Sequence, residues 1–132
     1  MKVLFDVNIW VSFAIGKRMG TLQKILIDKK ITPIFSSELI LEFINVANRP
    51  KLKKYLTRQR IADTVRLIEK FGKEYSPHLT GRIAKDPKDN YLLEICYKAK
   101  PRYFVTGDKI LLDLNRCNGT KIISFEEFIS TI

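Results

Sequence analysis

Four acids, Asp6, Glu42, Asp89 and Asp108, stand at positions where a carboxylate can serve chemistry as well as solubility. Asp6 directly follows the short apolar run Lys2-Val3-Leu4-Phe5. Asp108 follows Arg102-Tyr103-Phe104-Val105 and the turn Thr106-Gly107. If these runs are neighbouring parallel strands, both carboxylates emerge at one sheet edge, close enough to repel unless a divalent cation sits between them. Each also has a structural account, because an acid commonly caps the helix after a strand. Glu42 lies among Ile40, Leu41, Phe43 and Ile44, on a helix turn that is apolar on nearly every side. A carboxylate there pairs with a cation or holds its proton; a salt bridge to one of the many Lys and Arg is the alternative. Asp86-Pro87-Lys88-Asp89-Asn90 opens an apolar helix, with Asp86 as a cap, Pro87 in the first turn and Asp89 three residues on, as in a capping box. With no His or Cys near them, such acids suit the hard cations Mg²⁺ or Mn²⁺.

The elements that must position these acids are short. Lys2 to Phe5, Ile31 to Phe35, Arg102 to Val105 and Lys121 to Ile123 read as strands, with Pro33 placing the second of them near a sheet edge. Helices are expected from about Asn8, around Leu22 to Ile27, from Ser36 or Ser37 to before Pro50, and from about Thr57 to Gly72. Others are expected from Asp89 to about Lys98, from Gly107 to Leu114 and from Phe125 to Ile129. One more short strand falls in the weakly patterned stretch after Lys73. Apolar strands alternating with helices imply an α/β fold, a three-layer α/β/α sandwich on a central parallel sheet of about five strands. With no linker or repeat, the chain is expected to form a single domain over residues 1–132. In such sheets ligands bind at the C-terminal ends of the strands, where Asp6 and Asp108 would be.

Charge points the same way. Twenty-four Lys and Arg against fourteen Asp and Glu give a net charge of +10, an excess that favours polyanions, nucleic acid above all. No apolar run approaches the roughly 20 residues that span a bilayer. Met1 to Phe5 reaches Asp6 too soon for a signal-peptide core, so a cytoplasmic protein is expected. Cys96 lies in an apolar helical pattern and Cys117 in a Gly/Asn loop, which reads as one buried and one loop thiol rather than a disulfide or zinc site.

Taken together, the segments resemble the PIN-domain nucleases, in particular the branch of toxins from toxin–antitoxin pairs. Val3-Leu4-Phe5-Asp6-Val7-Asn8-Ile9 is similar to the family's opening strand and its D-T-N-V/I. Ser37 to Phe43, continuing to Asn48-Arg49-Pro50-Lys51, is similar to its acidic helix and R-R-P-K. Asp86 to Asn90 matches D-P-x-D-N, and Thr106-Gly107-Asp108-Lys109-Ile110-Leu111-Leu112 matches T-G-D-x-D-L-L. The resemblance implies that Asp6, Glu42, Asp89 and Asp108 are the catalytic and metal-holding acids, supported by Asn8, Asp86 and Thr106. It also implies a metal-dependent endoribonuclease that cleaves RNA phosphodiesters with water activated by Mg²⁺ or Mn²⁺. A cognate antitoxin and a homodimer are further implications, with the stripe Ile61 to Phe71 as a candidate dimer surface or as plain core. Lys109, Lys88, Lys85, Arg82 and Arg49 lie beside the motifs as candidate RNA contacts. Trp10 and Tyr91 are aromatics able to stack on bases, although Trp10 lies in an apolar helix. His78 is expected at the surface.

Two departures from the family pattern matter. Val7 stands where Thr is usual, and Ile110 stands for the last motif's second Asp. They favour the alternative, a catalytically weak or inactive PIN-like protein that binds RNA or a partner. A dehalogenase-like phosphatase would need a second Asp two residues after Asp6, where Asn8 is found.

Overall fold

The computed structural model describes residues 1–16, 19–76 and 87–132. Its core is one six-stranded sheet, β1 (Lys2–Phe5), β2 (Thr32–Phe35), β3 (Lys73–Glu74), β4 (Tyr103–Val105), β5 (Arg116–Cys117) and β6 (Thr120–Ile123), ordered β3-β2-β1-β4-β6-β5. Every neighbouring pair is parallel except β5–β6. Seven helices among the described residues flank the sheet: α1 (Val7–Ile15), α2 (Met19–Asp28), α3 (Ser37–Ala47), α4 (Arg58–Phe71), α5 (Pro87–Ala99), α6 (Lys109–Leu114) and α7 (Phe125–Thr131). This is the expected α/β sandwich, with one strand more than expected, β5, which spans only two residues.

The central strand explains its own sequence. β1 is paired on both sides, and Val3, Leu4 and Phe5 are fully buried, so a continuous apolar run is required rather than an alternating one. β2 proves to be next to the edge rather than at it. Thr32 N donates to Met1 O on the β1 side, so Pro33 turns its ring nitrogen the other way, towards β3. There β3 begins only opposite Ile34, and no donor is missed.

Aromatic packing fixes the end of β1 from which Asp6 emerges. The Phe5 ring meets Trp10 at 5.3 Å and Phe13 at 6.3 Å from α1, and Phe128 at 5.5 Å from α7, all edge to face. Trp10 is therefore core, which removes it as a base-stacking residue. In α4, Ile61 and Ile68 are buried while Val65 and Phe71 are half-buried, so the stripe offered as a dimer surface is mainly core.

Cys117 also departs from expectation. It is not a loop thiol but a buried residue of β5, facing Thr120 across a tight hairpin. Asn118 and Gly119, at φ 47° and 89°, form the two-residue turn. Both positions take the left-handed backbone that such hairpins need, which favours Asn-Gly. Cys96 is buried as expected, and neither cysteine is in a disulfide.

Candidate active site

The strand register sets the first contact. Phe5 pairs with Val105, and the ladder runs one step further, with Asp6 N donating to Val105 O at 2.9 Å. Asp6 and Thr106 thus stand side by side at the C-terminal ends of adjacent parallel strands. Thr106 is fully buried; its Oγ1 donates to Asp6 Oδ2 at 2.6 Å and accepts from Asp108 N at 3.0 Å. One hydroxyl therefore ties the two acids together, and a supporting role for Thr106 has a concrete form.

The two acids differ in how far capping explains them. Asp108 does cap α6, its Oδ1 accepting from Ile110 N at 2.8 Å. That employs one oxygen, and no ion pair among the described residues takes the other. Asp6 occupies the cap position of α1, yet its side chain makes no capping hydrogen bond. It is a carboxylate only 9% exposed, and among the described residues it forms no ion pair. Burial holds its carboxyl above the usual carboxylate range. The Thr106 hydroxyl and the nearby N–H groups of Val7 and Asn8 pull it back down, and the charge on Asp108 adds to the upward push. Capping accounts for Asp108 and not for Asp6.

Glu42 arrives by a different route. Ser36 caps α3 by accepting from Leu39 N at 3.1 Å, and Leu39, Phe43 and Ala47 turn into the core. Glu42 is left half-buried on the flank of that face. Among the described residues it forms no salt bridge, and its Oε1 accepts from the hydroxyl of Tyr91 on α5. That contact had no signal in the sequence. Tyr91 stands just before the apolar positions Leu92 and Leu93, where its hydroxyl had no evident partner.

Asp89 belongs to the first turn of α5, as do Pro87, Lys88 and Asn90, but the side chains of these four lie outside the described residues. So do Asp86, Lys85, Arg82 and His78 entirely. Among the described residues no three of His, Cys, Asp and Glu form a group able to hold a metal ion. The pair joined through Thr106 is the part of the candidate site that the structure brings together. Asn8 is exposed in the first turn of α1, and Lys109 is exposed directly after Asp108. Arg49 is exposed beyond the far end of α3, seven residues from Glu42, or roughly 10 Å along a helix axis. A shallow cavity of about 230 Å³ opens beside the pair, lined by Ile9, Ser12, Phe13, Thr106, Ser124 and Phe125 among others.

A family model for the PIN domain matches residues 2–110. The chain belongs to the PIN domain family. PIN domains are generally nucleases, that is hydrolases, and generally use divalent metals. The matched span takes in Asp6, Glu42, Asp89 and Asp108 and stops before the β5–β6 hairpin and α7. No curated protein matches the sequence. The donor chemistry of the Asp6 and Asp108 pair fits the metal that PIN domains generally use. Asp6 is desolvated without a cation among the described residues, Asp108 keeps an open oxygen beside it, and every donor is an oxygen. No helix among the described residues is long and apolar enough to cross a membrane.

Proposed function

We propose that the protein is a metal-dependent endoribonuclease whose site is built from Asp6, Glu42, Asp89 and Asp108, and that it is the toxin of a toxin–antitoxin pair. The observation that carries the proposal is the Asp6 carboxylate, buried beside Asp108 with no side-chain cap bond and, among the described residues, no ion pair. Hydrogen bonds from the Thr106 hydroxyl and nearby N–H groups only partly offset the burial of that charge, and a bound cation accounts for its retention. When bound, Mg²⁺ or Mn²⁺ there supplies activation of water and neutralisation of the phosphodiester's charge.

The chain's own residues do the rest. Thr106 fixes the orientation of Asp6 and the backbone of Asp108 at once. Asn8, exposed next to Asp6, places an amide at the mouth of the site. Lys109 meets the phosphate backbone, with Lys88, Lys85, Arg82 and Arg49 as further contacts, and the charge of +10 draws the polyanion to an acidic pit that would otherwise repel it. RNA as substrate, a homodimer, and an antitoxin that sets a basic side chain among the acids all rest on the family resemblance, and a cytoplasmic location on composition and cysteine usage.

A second reading, binding without cleavage, is favoured by Val7 and Ile110. Val7 is buried at the position usual for Thr, and Ile110 is 72% exposed where a further acid is usual. The deciding experiment incubates the purified protein with single-stranded RNA in Mn²⁺ and in EDTA, beside Asp108→Asn. Cleavage that needs Mn²⁺ and is lost in the variant supports the nuclease. RNA bound but left intact in Mn²⁺ sinks it in favour of the binding protein.

A further inference from the structure

Glu42 is the acid with the longest reach and the most freedom. It extends from a helix flank on three rotatable bonds, and among the described residues no ion pair restrains it. What does restrain it is Tyr91, whose hydroxyl donates to Oε1 from α5. The Tyr91 ring is half-buried and packs against the core, so the hydroxyl is presented from a fixed position. With Oε1 engaged, no ion pair among the described residues holds Oε2, which is left to face a cation. Asp6 has the same arrangement, with Oδ2 engaged by the hydroxyl of Thr106 from a neighbouring element. In both cases a hydroxyl from a second element holds one carboxylate oxygen and so sets how the other is presented. Tyr91 also stands two residues after Asp89 in α5, so its bond to Glu42 joins the elements that carry two of the four acids.

We propose that Tyr91 is a positioning residue that orients the Glu42 carboxylate for metal binding, rather than an aromatic platform for an RNA base. The proposal rests on the metal-dependent reading of the site given above. Hydrogen-bond partners of metal-binding carboxylates are worth about 10- to 100-fold in metal affinity or activity, and that range sets the expectation.

Tyr91→Phe separates the two roles, because it keeps the ring for stacking and removes only the hydroxyl. Mn²⁺ alone is titrated into the full chain, with free Mn²⁺ read by electron paramagnetic resonance. RNA cleavage is then measured against both RNA and Mn²⁺. The expected result is Mn²⁺ affinity about 10-fold weaker or more, an unchanged KM for RNA, and a kcat that recovers at saturating Mn²⁺. In a Glu42→Gln background, Tyr91→Phe should weaken Mn²⁺ binding no further. Unchanged Mn²⁺ affinity in the single variant overturns the proposal, whether the RNA KM rises or the thermal midpoint alone falls. An additional loss in the Glu42→Gln background overturns it too, since Tyr91 would then act elsewhere. If the wild-type protein takes up no Mn²⁺, the metal-dependent reading fails together with the proposal. Equal uptake by wild type and Tyr91→Phe overturns the positioning role alone.

Discussion

Replacing Asp6 with Asn should make the metal-free protein more stable while removing its response to metal. The wild-type carboxylate is 9% exposed and unpaired among the described residues, and burial is the largest influence on it. Asn removes the charge and keeps the shape. Its amide can turn to Thr106 Oγ1, which already accepts from Asp108 N but has a second lone pair. What is lost is the charge-assisted part of the 2.6 Å bond from Thr106, about 1 kcal/mol, and what is gained is relief of a buried charge whose cost is larger. The net gain is on the order of 1 kcal/mol, which shifts a urea midpoint by roughly 0.5 M.

The sign with pH follows from the direction of the shift. The folded carboxyl titrates above the ordinary 3.8 of an unfolded Asp. The stability that comes from its protonated form is therefore fully present below 3.8 and is lost as pH rises through the folded value. Wild type and Asp6→Asn should match below that range and diverge above it, with the variant ahead at neutral pH. Adding Mn²⁺ reverses the order. At 100 times its dissociation constant it stabilises the wild type by about 2.7 kcal/mol and leaves the variant unmoved. The assay is urea unfolding in EDTA and in Mn²⁺ across pH. An Asp6→Asn variant less stable than wild type at neutral pH in EDTA would refute the claim that Asp6 is held at a cost.

Thr106→Val removes both bonds of the bridging hydroxyl at constant shape; it should cost about 2 kcal/mol in urea unfolding and weaken Mn²⁺ binding. Gly72→Ala should cost roughly 2–3 kcal/mol with Mn²⁺ affinity unchanged. A Cβ there would lie 2.4 Å from Ile68 O and 2.8 Å from both Pro33 O and the Phe35 ring, and backbone cannot move aside. Lys109→Ala should weaken RNA binding across sequences and lower the salt dependence by about one ion, as read by binding titrations at several salt concentrations.

Much of the fold was legible because the informative positions are locally determined. β1 reads as buried strand from Val3-Leu4-Phe5, and α4 announces itself with Thr57, which accepts from Arg60 N, and closes at Gly72. β3 was only faintly marked, because two residues carry no periodicity and their pairing with Ile34 and Phe35 is set by where α4 ends. The Asn118-Gly119 hairpin is different: its signal was present in the dipeptide. Arg116-Cys117 before it is too short to look like a strand on its own, so the dipeptide has no visible hairpin to turn.

The acids show what sequence can and cannot say about a site. Capping and metal binding were competing explanations for Asp6 and Asp108 because both place an acid between a strand and a helix. The structure separates them residue by residue: Asp108 caps through one oxygen, while Asp6 sits at a cap position without a side-chain cap hydrogen bond. For Asp108 the two roles coexist, since a cap needs one oxygen and a cation can take the other. The same reasoning bears on Ile110. Its backbone N–H serves the cap as any residue's would, so the exchange of an acid for Ile at that position leaves the Asp108 geometry standing. What it removes is a second exposed carboxylate two residues on, and that loss falls on the strength of the metal site rather than on its construction. A site weakened in that way depends more on the orientation of its remaining oxygens, which is where Thr106 and Tyr91 act.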